Sequence, residues 1–411
     1  MRVETAVTTS HSKRALAGVF ALSLAACSST SGLVPNLPET PLSAPTTPVA
    51  GTPLPGPAAG GTTLGTGPVR VALILPLTQG SGASIVGTSL RNGAELAQLE
   101  FGGNDITLLV KDDGSSPDGA RAAAQAAVSE GAELIVGPLF APNVKEVAKV
   151  AAAAGRPVIA FSTVTTTASR NVYLLSFLIE SYVDRIVEFA HARGRKSYGV
   201  LAPDNEYGNV AVAEFQQAAA RIGARVQVIE RFAPGGMAAA VAKVAAAKEQ
   251  IDALFIPEQA DAMPGVSQAL IANGIDPKKI QILGTGLWND ARVLKLPALQ
   301  GAWFAAPENA GFNAFATRYR AKYGSDPTRI ATLSYDAVTL VAALARSQGS
   351  KRFDESVLTN ASGFNGADGV FRFRPDGVNE RGLSVLQIGG GTTKAISPAP
   401  KSFAASATAA R

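Results

Sequence analysis

The feature that most constrains this chain is an alternation of strand-length apolar runs with helical stretches. Val69 to Leu75 reads VRVALIL, and a glycine-rich loop and a helical pattern from about Gly87 to Phe101 follow it. DITLLVKD, Asp105 to Asp112, is a second strand. Ser116-Pro117 fits an N-cap with proline in the first helical turn, and Gly131 fits the helix stop. AELIVG is a third strand; Pro142 suits the first turn of a helix ending at Gly155, and PVIAF, Pro157 to Phe161, is a fourth. Such a succession predicts a parallel sheet with helices on both faces. The pattern resumes after Tyr173 with SYGVLAP (Ser197 to Pro203), ARVQVIE (Ala224 to Glu230), DALFIP (Asp252 to Pro257) and IQILGT (Ile280 to Thr285), which implies a second α/β lobe. Gly369 to Ile388 alternates instead, and its Asp376-Gly377 pair predicts an antiparallel hairpin.

Ahead of these lobes stands a different kind of segment. Arg2, Lys13 and Arg14 precede an uncharged run from Ala15 to Ala26, the pattern of a secretory signal peptide over 1–26. The run is shorter than the roughly 20 residues of a membrane span. Cys27 follows at once and is the only cysteine in the chain, so no internal disulfide can form. Leu24-Ala25-Ala26-Cys27 resembles the bacterial lipobox, which implies cleavage before Cys27 and acylation of its thiol. Ser28 behind it, rather than Asp, points to the outer membrane over the inner one. Ser28 to Pro68 holds nine prolines and one charge, Glu39, in 41 residues. Too little apolar side chain is present to offset the entropy of ordering. Residues 27–68 are therefore expected to be a lipidated, disordered tether, and 393–411 a disordered tail.

Charge and composition narrow the function. Removing Arg2, Lys13, Arg14 and Glu4 with the leader lowers the net charge of +5 to +3. The remaining charges are scattered, without a basic stripe interleaved with aromatics, which argues against nucleic acid. Of the two histidines, His11 falls in the leader and His191 lies near an apparent helix end. No histidine cluster, phosphate loop or nucleophile elbow occurs, so no enzyme, metal or cofactor is expected.

In order and spacing, several stretches resemble the type I periplasmic binding proteins of the leucine/isoleucine/valine receptor branch. They are VALILPLTQGSGASIVGTSLRNGAELA, GAELIVGPLFAPNVKEVAKVAAAAGRPVIAFST, YGVLAPDNEYGNVAVAEFQQAAARIGARV and the closing hairpin. The resemblance covers about Val69 to Gly390. It implies an α/β, two-lobed Venus-flytrap fold over 69–392, with three crossovers and a ligand cleft between the lobes. Lobe 1 would comprise about 69–178 and 306–350, and lobe 2 about 179–305 and 351–392.

The cleft of such a fold is lined by loops after the strands. The candidates are Phe140, Ser162, Thr163, Thr165, Asp204, Tyr207, Gln259, Trp288 and Asp290. Ser162, Thr163 and Thr165 offer hydroxyls for a carboxylate or another polar group, or simply form a turn. Tyr207 falls where the family places an aromatic over the ligand, and packing between lobes is the alternative. Trp288 suits either ligand stacking or a hinge plug. Asp204 and Asp290 suit a cation or ammonium, and Asp-Asn turn chemistry is the alternative for Asp204.

Two departures stand out. The resemblance implies a hydroxyl in the loop after the third strand, where Leu139-Phe140-Ala141-Pro142 has none. It also implies an acid for the ligand's ammonium at a position held here by Gly286. An unpaired ammonium in a closing cleft is costly to desolvate. LILPLTQ and VGPLFAPNVKEVA resemble the penicillin-binding-protein activators, lipoproteins that keep the fold and stimulate peptidoglycan synthases. The primary expectation is thus a non-enzymatic activator in the periplasm, anchored through Cys27, with a synthase as partner. The alternative is a substrate-binding lipoprotein that delivers an amino acid or another small polar solute to an ABC permease.

Overall fold

The computed structural model describes residues 62–403; the leader, Cys27 and nearly all of the expected tether lie outside the described residues. The first lobe opens with β1 (Thr63–Leu64), β2 (Val69–Leu75), β3 (Thr78–Gln79), β4 (Gly82–Ala83), α1 (Ile85–Ala97), β5 (Ile106–Asp112), α2 (Pro117–Ser129), β6 (Leu134–Val136), α3 (Ala141–Ala153), β7 (Val158–Ala160) and β8 (Val172–Leu174). Its sheet runs β1-β5-β2-β6-β7-β8, parallel throughout except where β1 meets β5. Strand periodicity splits β2 between two cores. Val71, Leu73 and Leu75 pack toward α1, while Ala72 and Ile74 pack toward α2 and α3. Helix starts are set locally, since Ser84 Oγ accepts from Gly87 N at 3.0 Å and Ser116 Oγ from Gly119 N at 3.1 Å.

The second lobe contains α4 (Ile179–Ala192), β9 (Ser197–Pro203), α5 (Glu206–Arg221), β10 (Arg225–Phe232), α6 (Met237–Ala246), β11 (Ala253–Phe255), α7 (Met263–Ala272), β12 (Gln281–Gly284), α8 (Ala291–Leu294) and β13 (Trp303–Ala306). The chain then returns to the first lobe through α9 (Asn309–Tyr323), α10 (Ala331–Ser347), α11 (Glu355–Leu358), β14 (Phe364–Gly366), β15 (Gly369–Phe373) and β16 (Asn379–Arg381). It ends in β17 (Ser384–Gly389) and β18 (Thr392–Ser397) of the second lobe, whose sheet runs β10-β9-β11-β12-β13-β17-β18. No helix among the described residues is long and apolar enough to cross a membrane.

Three expected boundaries change. Residues 351 to 382 belong with the first lobe, not the second. Leu358, Phe371 and Phe373 are buried in the first lobe's core, and Arg352 pairs with Glu133 and Arg170 with Glu355. The expected hairpin stops at β16: Asp376 Oδ1 accepts from Val378 N at 3.0 Å in the turn, but β17 pairs with β13 and β18. The disordered ends were placed too far inward. β1 covers the outer edge of β5, and β18 covers that of β17. Both additions close sheet edges that would otherwise present unpaired backbone groups. Phe403 is buried beneath the Arg372 guanidinium, 4.6 Å from ring centre to Cζ.

In each sheet the strand order reverses once. In the first lobe β5 lies on one side of β2 and β6 on the other; in the second, β10 and β11 flank β9 in the same way. Crevices at the carboxyl ends of such strand pairs are where open α/β sheets hold ligands.

Candidate functional site

The first lobe's crevice is bordered by the loops after β2 and β6. Asp112 fastens the former, accepting from Leu77 N at 2.9 Å and Thr78 Oγ1 at 2.7 Å. Gly137 begins the latter at φ 87°, with a Cβ position only 2.0 Å from the Ile74 carbonyl, so no side chain fits there. The loop delivers Phe140 to the start of α3, where its side chain makes no cap and remains 39% exposed. Beyond β7, Ser162 is buried and its Oγ accepts from Val164 N at 3.1 Å. Thr163 is exposed with no hydrogen-bond partner among the described residues. Thr165 donates to Glu180 Oε1 at 3.1 Å, at the start of α4.

The second lobe's crevice gathers residues from three adjacent strands. Tyr207, past β9, shares a 3.0 Å hydrogen bond with Thr285 Oγ1, past β12. Burial pushes the Tyr207 hydroxyl well above its usual pKa, and Tyr182 and Glu258 add to the rise. Glu258, past β11, is only 5% exposed. Its Oε1 accepts from Gln259 N at 2.6 Å, and Oε2 has no hydrogen-bond partner among the described residues. Desolvation raises the Glu258 carboxyl's pKa, with the Gln259 amide opposing. Asp204 and Gln259 are exposed beside this group, with no side-chain hydrogen bond among the described residues.

Two candidates leave the cleft. Trp288 is fully buried in the second lobe's core, with its ring 2.2 Å from where a Cβ on Gly284 would stand. It is a plug, not a stacking surface. Asp290 caps α8, with Oδ1 accepting from Arg292 N at 2.8 Å, and its carboxylate also pairs with the Arg292 guanidinium. That pairing holds its pKa below the usual carboxylate range and occupies the charge expected to meet a cation. Gly286 is closed in its turn, because a Cβ there would lie 2.6 Å from the Tyr182 ring.

The three crossovers meet in a stacked column that the sequence did not show. Arg329 lies over Phe312 at 4.5 Å and over Phe177 at 4.9 Å; Arg381 lies over Phe177 at 4.8 Å and over Phe371 at 5.5 Å. Phe177 sits in the first crossover, Phe312 just after the second, and Arg381 just before the third. Ser176 O accepts from Asn379 Nδ2 and Arg381 Nε, each at 3.1 Å, joining first to third. Ser384 Oγ donates to Glu308 Oε1 at 2.6 Å, joining third to second. Asp368 holds Arg329 by two hydrogen bonds, one at 2.7 Å. Beneath the column Asp336 is buried; its Oδ1 accepts from Ala367 N at 2.7 Å. Burial pushes its pKa up to about 7 despite the nearby Arg381.

Glu258, Thr285, Tyr182 and the column residues were not among the sequence candidates. Glu258 had a legible signal, an acid at the end of the apolar run DALFIP and next to the candidate Gln259.

A family model described as periplasmic binding protein matches residues 68–393. No curated protein matches the chain in sequence. Among solved structures, a putative branched-chain amino acid ABC transporter protein from Rhodospirillum rubrum aligns at TM-score 0.71 and 19% identity, over 80% of this chain and 99% of its own. A leucine-binding protein from Thermotoga maritima aligns at TM-score 0.56 and 22% identity, over 80% and 98%. A solute-binding protein of an ABC transporter from Rhodopseudomonas palustris BisB5, solved with 3,4-dihydroxybenzoic acid, aligns at TM-score 0.57 and 22% identity, over 80% and 96%. At these identities the likeness shows the fold.

Proposed function

The chain belongs to the periplasmic binding protein family, with the type I, leucine-binding-protein-like fold, and from that premise we propose that it is a non-catalytic solute receptor of an ABC-type uptake system. The observation that carries this reading is the second lobe's crevice at the strand reversal, where Tyr207, Thr285 and the nearly buried Glu258 converge. A crevice lined this way suits a small polar solute enclosed as the lobes close. Of the solved structures named above, one is described as an ABC transporter protein, one as a leucine-binding protein and one as a solute-binding protein of an ABC transporter, which supports this reading over the activator first expected from the sequence; nothing in the comparisons supports that activator. The partner is then an ABC permease. The Cys27 acyl anchor and the tether remain part of the proposal, with the folded body held at a membrane on the periplasmic side.

A thermal-shift panel on the full mature protein tests it, with amino acids, aromatic acids and polyamines as probes. A binder at one hundred times its Kd stabilises the fold by about 2.7 kcal/mol, which is a clear rise in Tm. A flat panel, together with stimulation of a purified peptidoglycan synthase, would favour the activator instead. Radiolabelled palmitate incorporated by the wild type and not by Cys27→Ser checks the anchor.

A further inference from the structure

We propose that the end of the second lobe opposite its crevice, at the amino ends of β9, β11 and β12, is a contact surface for an anionic lipid leaflet. The proposal goes beyond the receptor reading and needs no solute. β9 has seven residues, so at about 3.3 Å each this end stands about 20 Å from the crevice. The three strands are parallel neighbours, with Tyr198, Ala253 and Gln281 level across them. The turns that enter them therefore leave one edge together. Cations scattered in the sequence meet there: Arg193, Arg195, Lys196, Lys248, Lys278 and Lys279. Lys248 and Lys279 border one shallow hollow with Ile251 and Gly274.

None of the six forms an ion pair among the described residues, although Arg221 and Lys243 of the same lobe do. The same turns carry three acids, Glu249, Asp252 and Asp276. Two of these are engaged by backbone: Asp252 accepts from Lys196 N at 2.9 Å and Ser197 N at 3.2 Å, and Asp276 Oδ1 accepts from Lys278 N at 2.9 Å. The matching edge of the first lobe is neutralised, since Lys111 pairs with Glu130, Arg346 with Asp105 and Arg352 with Glu133. A helix dipole accounts for Arg193, which ends α4 and lies 4.9 Å from the Phe189 ring centre. It does not account for Lys196, Lys278 and Lys279, which are exposed beyond the helix ends. Gathered like charges repel, and an anionic surface relieves that repulsion. One apolar side chain stands among them. Ile271, in the last turn of α7, is 55% exposed, and its carbonyl accepts from Gly274 N at the hollow. A leaflet offers an anionic layer with an apolar layer beneath it, which suits cations set around an isoleucine. An acidic protein would match the charge alone.

The test is vesicle co-sedimentation of the full mature chain carrying Cys27→Ser, so that no acyl group contributes. The probes are vesicles of phosphatidylcholine alone and of phosphatidylcholine with phosphatidylglycerol. We expect partition onto the anionic vesicles only, at about 0.1 M salt, where the Debye length is about 10 Å, and release at about 1 M, where it is about 3 Å. Each cation near such a leaflet is worth about fivefold in partition, so Lys248→Gln with Lys279→Gln should weaken it about 25-fold. Lys145→Gln with Lys351→Gln removes the same charge from exposed sites of the first lobe and should leave it within about twofold. Ile271→Ser should weaken partition without changing its salt dependence. The lipid and salt comparisons on the wild-type surface decide the matter even if a variant misfolds. Absence of partition onto anionic vesicles would overturn the inference, as would retention on immobilised polyglutamate without it, which would point to an acidic protein. Equal losses from the two lysine pairs would also overturn it, since net charge and not this end would then be responsible. Each of these results leaves the receptor reading intact, which thermal shift with solutes tests separately.

Discussion

Asp336→Asn should make the protein more stable at neutral pH, and the size of the gain follows from one buried carboxyl. Asp336 lies beneath the column of Phe312, Arg329, Phe177, Arg381 and Phe371, and its pKa rises from an ordinary 3.8 to about 7 because burial outweighs the pull of Arg381. Between those two values the folded protein keeps a proton that the unfolded chain has released. Stability therefore falls as pH rises from about 4 to 7 and levels off above it. At about 1.4 kcal/mol per tenfold change in the proton equilibrium, the full effect is about 4 kcal/mol as an upper bound. Asparagine mimics the protonated state and keeps the acceptor for Ala367 N, which donates to Oδ1 at 2.7 Å. Urea unfolding from pH 3.5 to 8 should give nearly equal stabilities for the two proteins at pH 3.5 and a lead of about 1.5 kcal/mol for the variant at pH 5. At pH 8 the variant should lead by up to about 4 kcal/mol. Differences between the two proteins cancel the other titrating groups, among them Glu258, Asp113 and Glu188, whose carboxyls are also raised by burial. Parallel curves across the range would refute the buried proton. A variant less stable at pH 8 would show instead that Arg381 needs an ionised Asp336.

Three further substitutions probe the architecture. Phe177→Ala removes the ring between both guanidinium groups and should cost about 3 kcal/mol in denaturant unfolding, with Arg381 left stacked on Phe371 alone. Gly284→Ala drives a methyl to within 2.2 Å of the Trp288 ring and should destabilise by about 1–3 kcal/mol, with a shift in tryptophan emission as the plug moves. Phe403→Ala should lower stability by about 2 kcal/mol, since it uncovers Arg372 and removes a ring that is now buried; an unchanged midpoint would mean that the tail beyond β18 is not docked.

What the sequence revealed divides along physical lines. Strands and helices were legible because period-two and helical apolar patterns are local, and Ser84, Ser116 and Asn205 cap helices by contacts three residues away. The place of Tyr207 past the carboxyl end of β9 was legible because it follows a strand end directly. Trp288 was not, since an aromatic after β12 has the same local pattern whether it faces a ligand or the core; Phe304, on the neighbouring strand β13 and in the same core, decides it. Asp290 read as a free acid because Arg292, two residues on, has no fixed direction in a sequence. The segment from 351 to 382 went to the wrong lobe because its partners, Glu133 and Arg170, lie far away in the chain. The column at the crossovers was hidden for the same reason.

The central claim is that the two lobes close on a solute, and the distance between them tests it most directly. Ile85, 80% exposed at the start of α1, and Val210, exposed on α5, stand at the carboxyl edges of opposite sheets. Spin labels on Ile85→Cys and Val210→Cys, in a chain with Cys27→Ser, report that distance by double electron–electron resonance. The account predicts a longer distance in the free protein and a shorter, narrower distribution once the most stabilising compound of the thermal-shift panel is added. A distribution that does not change at saturating compound would contradict it.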